Sequence, residues 1–256
     1  MKALFACLKK EAMEQKRSWR TLVLGILFVL FGFMNPAIAK LTPWLLELMS
    51  DAMAEAGMNI TVSSVSALDS WAQFFKNIPM ALIAFVVIQG GIFTREYRSG
   101  TMVLSLTKGL DRHKVVISKT VILMLFWSIC YWVCFVITYV AGACFWDNSI
   151  VPSLLFSGVC WWLFGVWVLA LMIFFSVLAS SVTVVLLGTG GVVLVSYLVG
   201  MLPRVNRYLP TMLSDGVVLI YGGAEAKDCF ISLAITLALT VACIAASIPI
   251  FNKKQL

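Results

Sequence analysis

Six long stretches of this chain, residues 21–39, 78–94, 120–145, 153–179, 182–202 and 229–251, contain no Asp, Glu, Lys, Arg or His. A helix needs about 20 apolar residues to cross a hydrocarbon layer of roughly 30 Å. Backbone groups in lipid must be satisfied within the segment, so each run is expected to be helical. Composition agrees: 61% of residues are hydrophobic and 12% charged, against about 25% charged in a soluble domain. So few charged side chains cannot cover a water-soluble globule of 256 residues. The expected fold is therefore an all-α integral membrane protein, one transmembrane domain over 1–256 with six spans.

Prolines fit this partition. Pro36, Pro79, Pro152, Pro203 and Pro249 fall in the first or last turns of the runs, and Pro43 and Pro210 fall in loops, where a missing N–H costs least. Trp19, Trp44, Trp71 and Trp146 flank runs, as interfacial anchors do. Six crossings put both termini, the 95–119 connection and Ser180-Ser181 on one side. That side holds 14 of the 19 Lys/Arg and four of the twelve acids; the other holds five and eight. The positive-inside bias makes the richer side cytoplasmic, so a multi-pass plasma-membrane protein with cytoplasmic termini is expected. The basic start, first run and Ala37-Ile38-Ala39 also fit a cleaved signal peptide; the long basic region and long run weigh against cleavage.

Outside the spans, residues 2–20 read as an interfacial helix, with Phe5, Leu8, Ala12 and Trp19 at helical spacing among cations suited to lipid headgroups. The 40–77 outer loop carries helix formers from Pro43 to Ala56 and a Gly57 stop, predicting a short outer helix. Asn59-Ile60-Thr61 has the form of a glycosylation acceptor. Residues 203–228 read as turns with a re-entrant apolar piece at 217–221. The cytoplasmic segment 95–119 is compact and polar, broken at Gly100 and Gly109, with a helix predicted after Asp111 as N-cap. Joining two spans, it forms a rigid knob on which a soluble protein can push.

The absences narrow function. No GxxxxGK[ST] phosphate loop is present, so ATP hydrolysis is not expected of this chain. No carboxylate or histidine lies within a run, whereas ion-coupled carriers keep such groups there. The one histidine, His113, sits in a basic loop, and no histidine lies at membrane depth to activate a serine, so no catalytic residue is assigned. The seven cysteines show no metal-ligand spacing and read as apolar packing groups, so no metal site is expected. What remains is a membrane subunit moved from outside itself, with no cofactor of its own and no nucleic-acid partner.

Arg95-Glu96-Tyr97-Arg98-Ser99-Gly100-Thr101 closes the second run: a basic–acidic pair, three residues, then Gly-Thr. A Leu-rich stretch, a basic turn at Arg112 and Lys119 opening the third run follow. This segment, with the six-span layout and N-terminal interfacial helix, resembles the membrane permease subunits of type-2 ABC exporters. The chain departs from many relatives in having Lys108-Gly109 where they carry a proline. The resemblance implies that 95–119 is a coupling region seated in a groove of a separate ATP-binding subunit, present in two copies and holding ATP and Mg. Glu96 is then a salt bridge or cap at that joint, and Gly100 and Thr101 set its turn. Arg95 belongs to the same joint, and Arg98, Lys108, Arg112 and Lys114 are peripheral charge contacts. It further implies pairing with a second permease chain, as a homodimer, first and fifth spans meeting around a pathway lined by the second and fifth. Phe85, Gln89, Thr189, Ser196 and Tyr197 are the few polar or aromatic positions expected along that path.

A greasy, uncharged route favours amphipathic or lipid-like cargo, and in this the chain is similar to Gram-positive exporters of amphipathic peptides, including phenol-soluble modulin exporters. Lipid, drug or polysaccharide export is the alternative within the class. The rival from another class is a non-transporting sensor or immunity protein, which would bring down no ATP-binding partner.

Overall fold

The computed structural model describes residues 2–48, 65–100, 111–223 and 226–253. Helices make up nearly all of it, with no strand among the described residues. They are α1 (Lys2–Arg17), α2 (Trp19–Leu48), α3 (Ala67–Gln89), α4 (Thr94–Ser99), α5 (Arg112–Ala143), α6 (Leu154–Leu178), α7 (Val182–Gly200), α8 (Pro203–Asn206), α9 (Gly216–Ile220) and α10 (Ala226–Lys253), with 3-10 turns at Asn148–Ile150 and Pro210–Ser214. Six helices are long and apolar enough to cross a membrane: α2, α3, α5, α6, α7 and α10.

Several helices outrun the uncharged stretches that announced them. α2 continues to Leu48 through Pro36 and Pro43, so the residues expected to begin the outer loop are helix. Pro36 cannot bond the Gly32 carbonyl one turn back; Thr138 Oγ1 on α5 donates to that carbonyl at 3.1 Å instead. Asn35 Nδ2 also donates to Thr138 Oγ1 at 3.2 Å, and Asn77 Nδ2 donates to Asn35 Oδ1 at 2.9 Å. A buried polar knot thus binds α2, α3 and α5 at the depth where the proline frees a carbonyl. The outer helix predicted as far as Ala56 lies, past Leu48, outside the described residues, as does Asn59-Ile60-Thr61.

α3 begins at Ala67, well before the predicted 78. Asp69 accepts from the Ser66 N–H at 2.8 Å, reaching back as the third residue of a capping box does. This added stretch buries Trp71 and Phe74 against Phe135 and Tyr131 of α5, and Phe75 beside Phe74 and Gly216. Trp71 is 1% exposed and donates Nε1–H to Asn148 Oδ1 at 3.1 Å; it is a core residue, not the interfacial anchor expected. Trp19 and Trp44 are exposed at helix ends.

α6 is the central helix, buried along most of its length and packed against α5, α7 and α10. Close approach to α5 depends on small residues: a methyl group at Gly165 would meet Trp127 Cζ2 at 2.3 Å, and the Gly158 carbonyl accepts the Tyr131 hydroxyl at 2.8 Å. α7 is the opposite case. Only Val185 and Thr189 of its residues are buried, and Leu187, Leu194, Val195 and Leu198 face outward. α9 occupies the re-entrant stretch expected near 217–221 and buries Leu219 and Ile220 under the outer ends of α3 and α6.

Candidate coupling site and transport cavity

The end of the bundle where α1 and α4 meet α5 is organised by Lys119. The helix predicted after Asp111 starts at Arg112 and runs unbroken into the third long helix, so Lys119 sits two turns inside α5, 2% exposed. Its Nζ donates to Glu96 Oε1 of α4 and to Glu11 Oε2 of α1, both at 2.8 Å. Lys10 lies 3.5 Å from Glu11 and 3.6 Å from Glu96. Burial works to lower the Lys10 pKa; the carboxylates of Glu96 and Glu11 override it, and the ammonium titrates above its ordinary value. Carboxylate oxygens of Glu11, Glu14 and Glu96 fall within 4.8 Å of one another. Like charges this close need cations between them, and the two lysines supply them.

The cluster fixes three elements at one point. α1, expected to lie on the membrane by an apolar face, turns Cys7 and Glu11 inward and leaves Phe5 exposed; Cys7 Sγ is 3.0 Å from Ser118 Oγ on α5. Glu96, expected as a salt bridge or cap at the joint, pairs with Lys119 of the same chain, because the turn after α3 swings α4 back against α5. That turn is closed by Arg95, whose Nη2 donates to the Ile88 carbonyl at 2.9 Å across the bare face of Gly91. Gly90 contributes its carbonyl to Ser176 Oγ of α6 at 3.3 Å. Gly100 ends α4 in the left-handed region, φ 68°, which a residue without Cβ adopts freely.

Arg112 faces the other way. Its Nη1 donates to the carbonyls of Phe251 and Asn252, at 3.3 and 3.2 Å, so a guanidinium closes the C-terminus of α10. Lys114 pairs with Asp111, which occupies the predicted N-cap position of α5 but spends its carboxylate on this lysine and not on the helix N–H groups. That ammonium holds the Asp111 carboxyl below its ordinary pKa. Phe251 packs on Phe93 and Tyr97, so α4 is wedged between α1, α5 and the end of α10. Thr101 and Lys108, and the side chain of Arg98, lie outside the described residues.

The five pathway candidates do not share one surface. An apolar cavity of about 230 Å³ lies between α3, α6 and α7, walled by Ile83, Val86, Trp161, Phe164, Thr189 and Tyr197. Thr189 commits its hydroxyl to the Val185 carbonyl at 2.8 Å, and the Tyr197 hydroxyl donates to Ser214 Oγ at 2.8 Å. Ser196 bonds back to Val192 and lies outside the cavity. Phe85 is fully buried on another face of α3, its ring 5.4 Å from that of Trp127 and 6.4 Å from that of Phe28. Gln89 lines a separate pocket beside Glu96, Arg95 and Lys119.

Glu11 and Lys10 escaped the sequence reading. The signal was present: Glu11 lies one turn after Cys7, a position that faces the same way on a helix. The family model described as ABC-2 family transporter protein matches residues 5–214, which takes in α1 and the first five long helices. No curated protein is similar enough to the chain to match it. That match takes in well over half of the chain and five of its six helices long and apolar enough to cross a membrane, and the chain belongs to the ABC-2 family of transporter proteins.

Proposed function

We propose that the chain is the permease of an ATP-driven exporter. It moves a hydrophobic or amphipathic substrate, such as a toxin or bacteriocin peptide, out across the plasma membrane. The energy comes from a separate ATP-binding subunit, two copies of which carry ATP and Mg. The observation that carries this reading is the Lys119 cluster. It welds the short helix after the second span to the third span and to α1, so force applied at 95–112 reaches three helices at once without being lost in a flexible loop. Gly100 and Thr101 shape the contact turn, with Arg98, Lys108 and Lys114 as surface charges. Such charges set register more than affinity. Glu96 and Arg112 act inside the knob.

The cavity between α3, α6 and α7 is the cargo route, and its apolar wall suits acyl chains or apolar peptide side chains better than ions or sugars. A second, identical chain pairs through the outward faces of α2 and α7. There Gly25 and Gly191 leave open space, and little of α7 is covered by its own chain. Closure of two ATP-binding subunits then draws the paired knobs together and shifts the spans between two arrangements. Purification of the tagged chain from its own cells is expected to bring down an ATP-binding subunit in equal amount. Recovery of the chain alone, with intact knob and membrane insertion, contradicts the reading.

A further inference from the structure

Above the apolar cavity, on the outer side, lies a second and chemically opposite space of about 140 Å³, lined by Tyr197, Gly200, Met201, Asn206, Thr211 and Asp215. Tyr197 walls both. Thr211, Asn206 and the exposed Asp215 bring side-chain oxygens to its lining, and one of these oxygens is buried without a partner. Thr211 is 3% exposed, and its Oγ1 has no hydrogen-bond partner. A methyl group at Gly200 would lie 3.1 Å from that atom and 3.4 Å from Asn206 Oδ1, so both oxygens converge on the space glycine leaves empty. Asp215 stands at the mouth, in the N-cap position of α9, yet its carboxylate makes no cap bond. It forms no ion pair among the described residues either, although Arg204 and Arg207 are exposed on the same outer segment.

Buried polar atoms in folded proteins find partners, so this geometry asks for a donor. An anionic group would face the Asp215 carboxylate, and an apolar group would leave Thr211 unsatisfied. We propose that this outer vestibule seats the positively charged, hydrogen-bond-donating head of an amphipathic cargo, an ammonium group, while its apolar chain lies in the cavity between α3, α6 and α7. The Tyr197–Ser214 bond is the partition between the two spaces. Its hydroxyl is already engaged, so Tyr197 contributes a wall and not a charge. This deepens the export reading and rests on it. The cargo becomes a cationic amphiphile, not merely a greasy one.

The test uses the full-length chain in phosphatidylcholine vesicles with two diazirine probes of one chain length, dodecylammonium and dodecanol, and maps crosslinks by mass spectrometry. Labelling of residues 197–215 by the ammonium probe is expected to exceed that by the alcohol at least tenfold. Asp215→Asn is expected to abolish the preference. Gly200→Ala, which fills the cradle but keeps the carboxylate, is expected to reduce ammonium labelling severalfold. Asp147→Asn, an outer carboxylate elsewhere, leaves labelling unchanged. Equal labelling by both heads, absence of crosslinks in this segment, or a preference that survives Asp215→Asn overturns the inference. ATP-driven efflux measured on the same vesicles with a bound ATP-binding subunit separates the two readings. Efflux without head preference defeats the vestibule alone; head preference without efflux defeats the exporter alone.

Discussion

Replacing Lys119 with Met removes the cation at the centre of the knob while keeping volume and helix propensity. Two ion pairs at 2.8 Å are lost, and carboxylates within 4.8 Å of each other are left with the half-exposed Lys10 as their remaining cation. At an effective dielectric of about 20, unit charges that far apart repel by about 3 kcal/mol. Breaking a buried pair by deleting one partner costs about 3–5 kcal/mol. The penalty falls locally, on the docking of α1 and α4 against α5, because the rest of α5 is held by aromatic packing around Trp127 and Tyr131. Hydrogen exchange of amides in 2–17 and 94–99 is therefore expected to accelerate by about 10²- to 10³-fold, at roughly tenfold per 1.4 kcal/mol, with α6 unaffected. Adding Glu96→Gln to Lys119→Met should restore a large part of the protection, since it removes one of the opposed charges; the cycle isolates the coupling. Unchanged exchange in α1, or loss spread evenly through the molecule, would refute the idea that this cluster is a local weld.

Gly165→Ala should destabilise the bundle by about 1–3 kcal/mol through overpacking, because the new methyl meets the Trp127 ring; thermal unfolding in detergent reads it. Asn35→Leu should cost about 1 kcal/mol by leaving the Asn77 and Thr138 groups short of a partner, seen in the same assay. Gly191→Leu should leave the unfolding midpoint of the single chain unchanged, since the site is open, but lower crosslinking between two copies. Gly100→Val should strain the turn by about 1 kcal/mol and lower the ATP turnover of a bound partner, with α1 still docked.

The spans were legible because a hydrocarbon layer demands uninterrupted apolar length, and no other physical setting tolerates six such runs. Their ends were not. Lys119 and Asp69 interrupt the apolar pattern, yet Lys119 is buried in ion pairs and Asp69 folds onto Ser66. Pairing is a property of three dimensions that a residue-by-residue ruler counts as a stop. Pro36 misled in the same way, since its freed carbonyl is satisfied by Thr138, a residue of another helix. Gly100 was legible as a break after the second span, but the direction in which Glu96 points was not. The pathway residues fared worst. A helix such as α3, apolar on every face, offers no contrast to orient it, so Phe85 and Ile83 look alike in sequence though one is core and the other lines the cavity.

The central claim is that this chain does no chemistry and is moved by a nucleotide-driven partner gripping the segment between α4 and α5. Efflux of a fluorescent amphiphile from sealed inverted vesicles holding the chain and its ATP-binding subunit tests it most directly. Transport is predicted to require both proteins and hydrolysable ATP, and to vanish when the 101–110 stretch is replaced by a Gly-Ser linker while the chain still inserts. Transport by the chain alone, or transport that survives that replacement, would contradict the account.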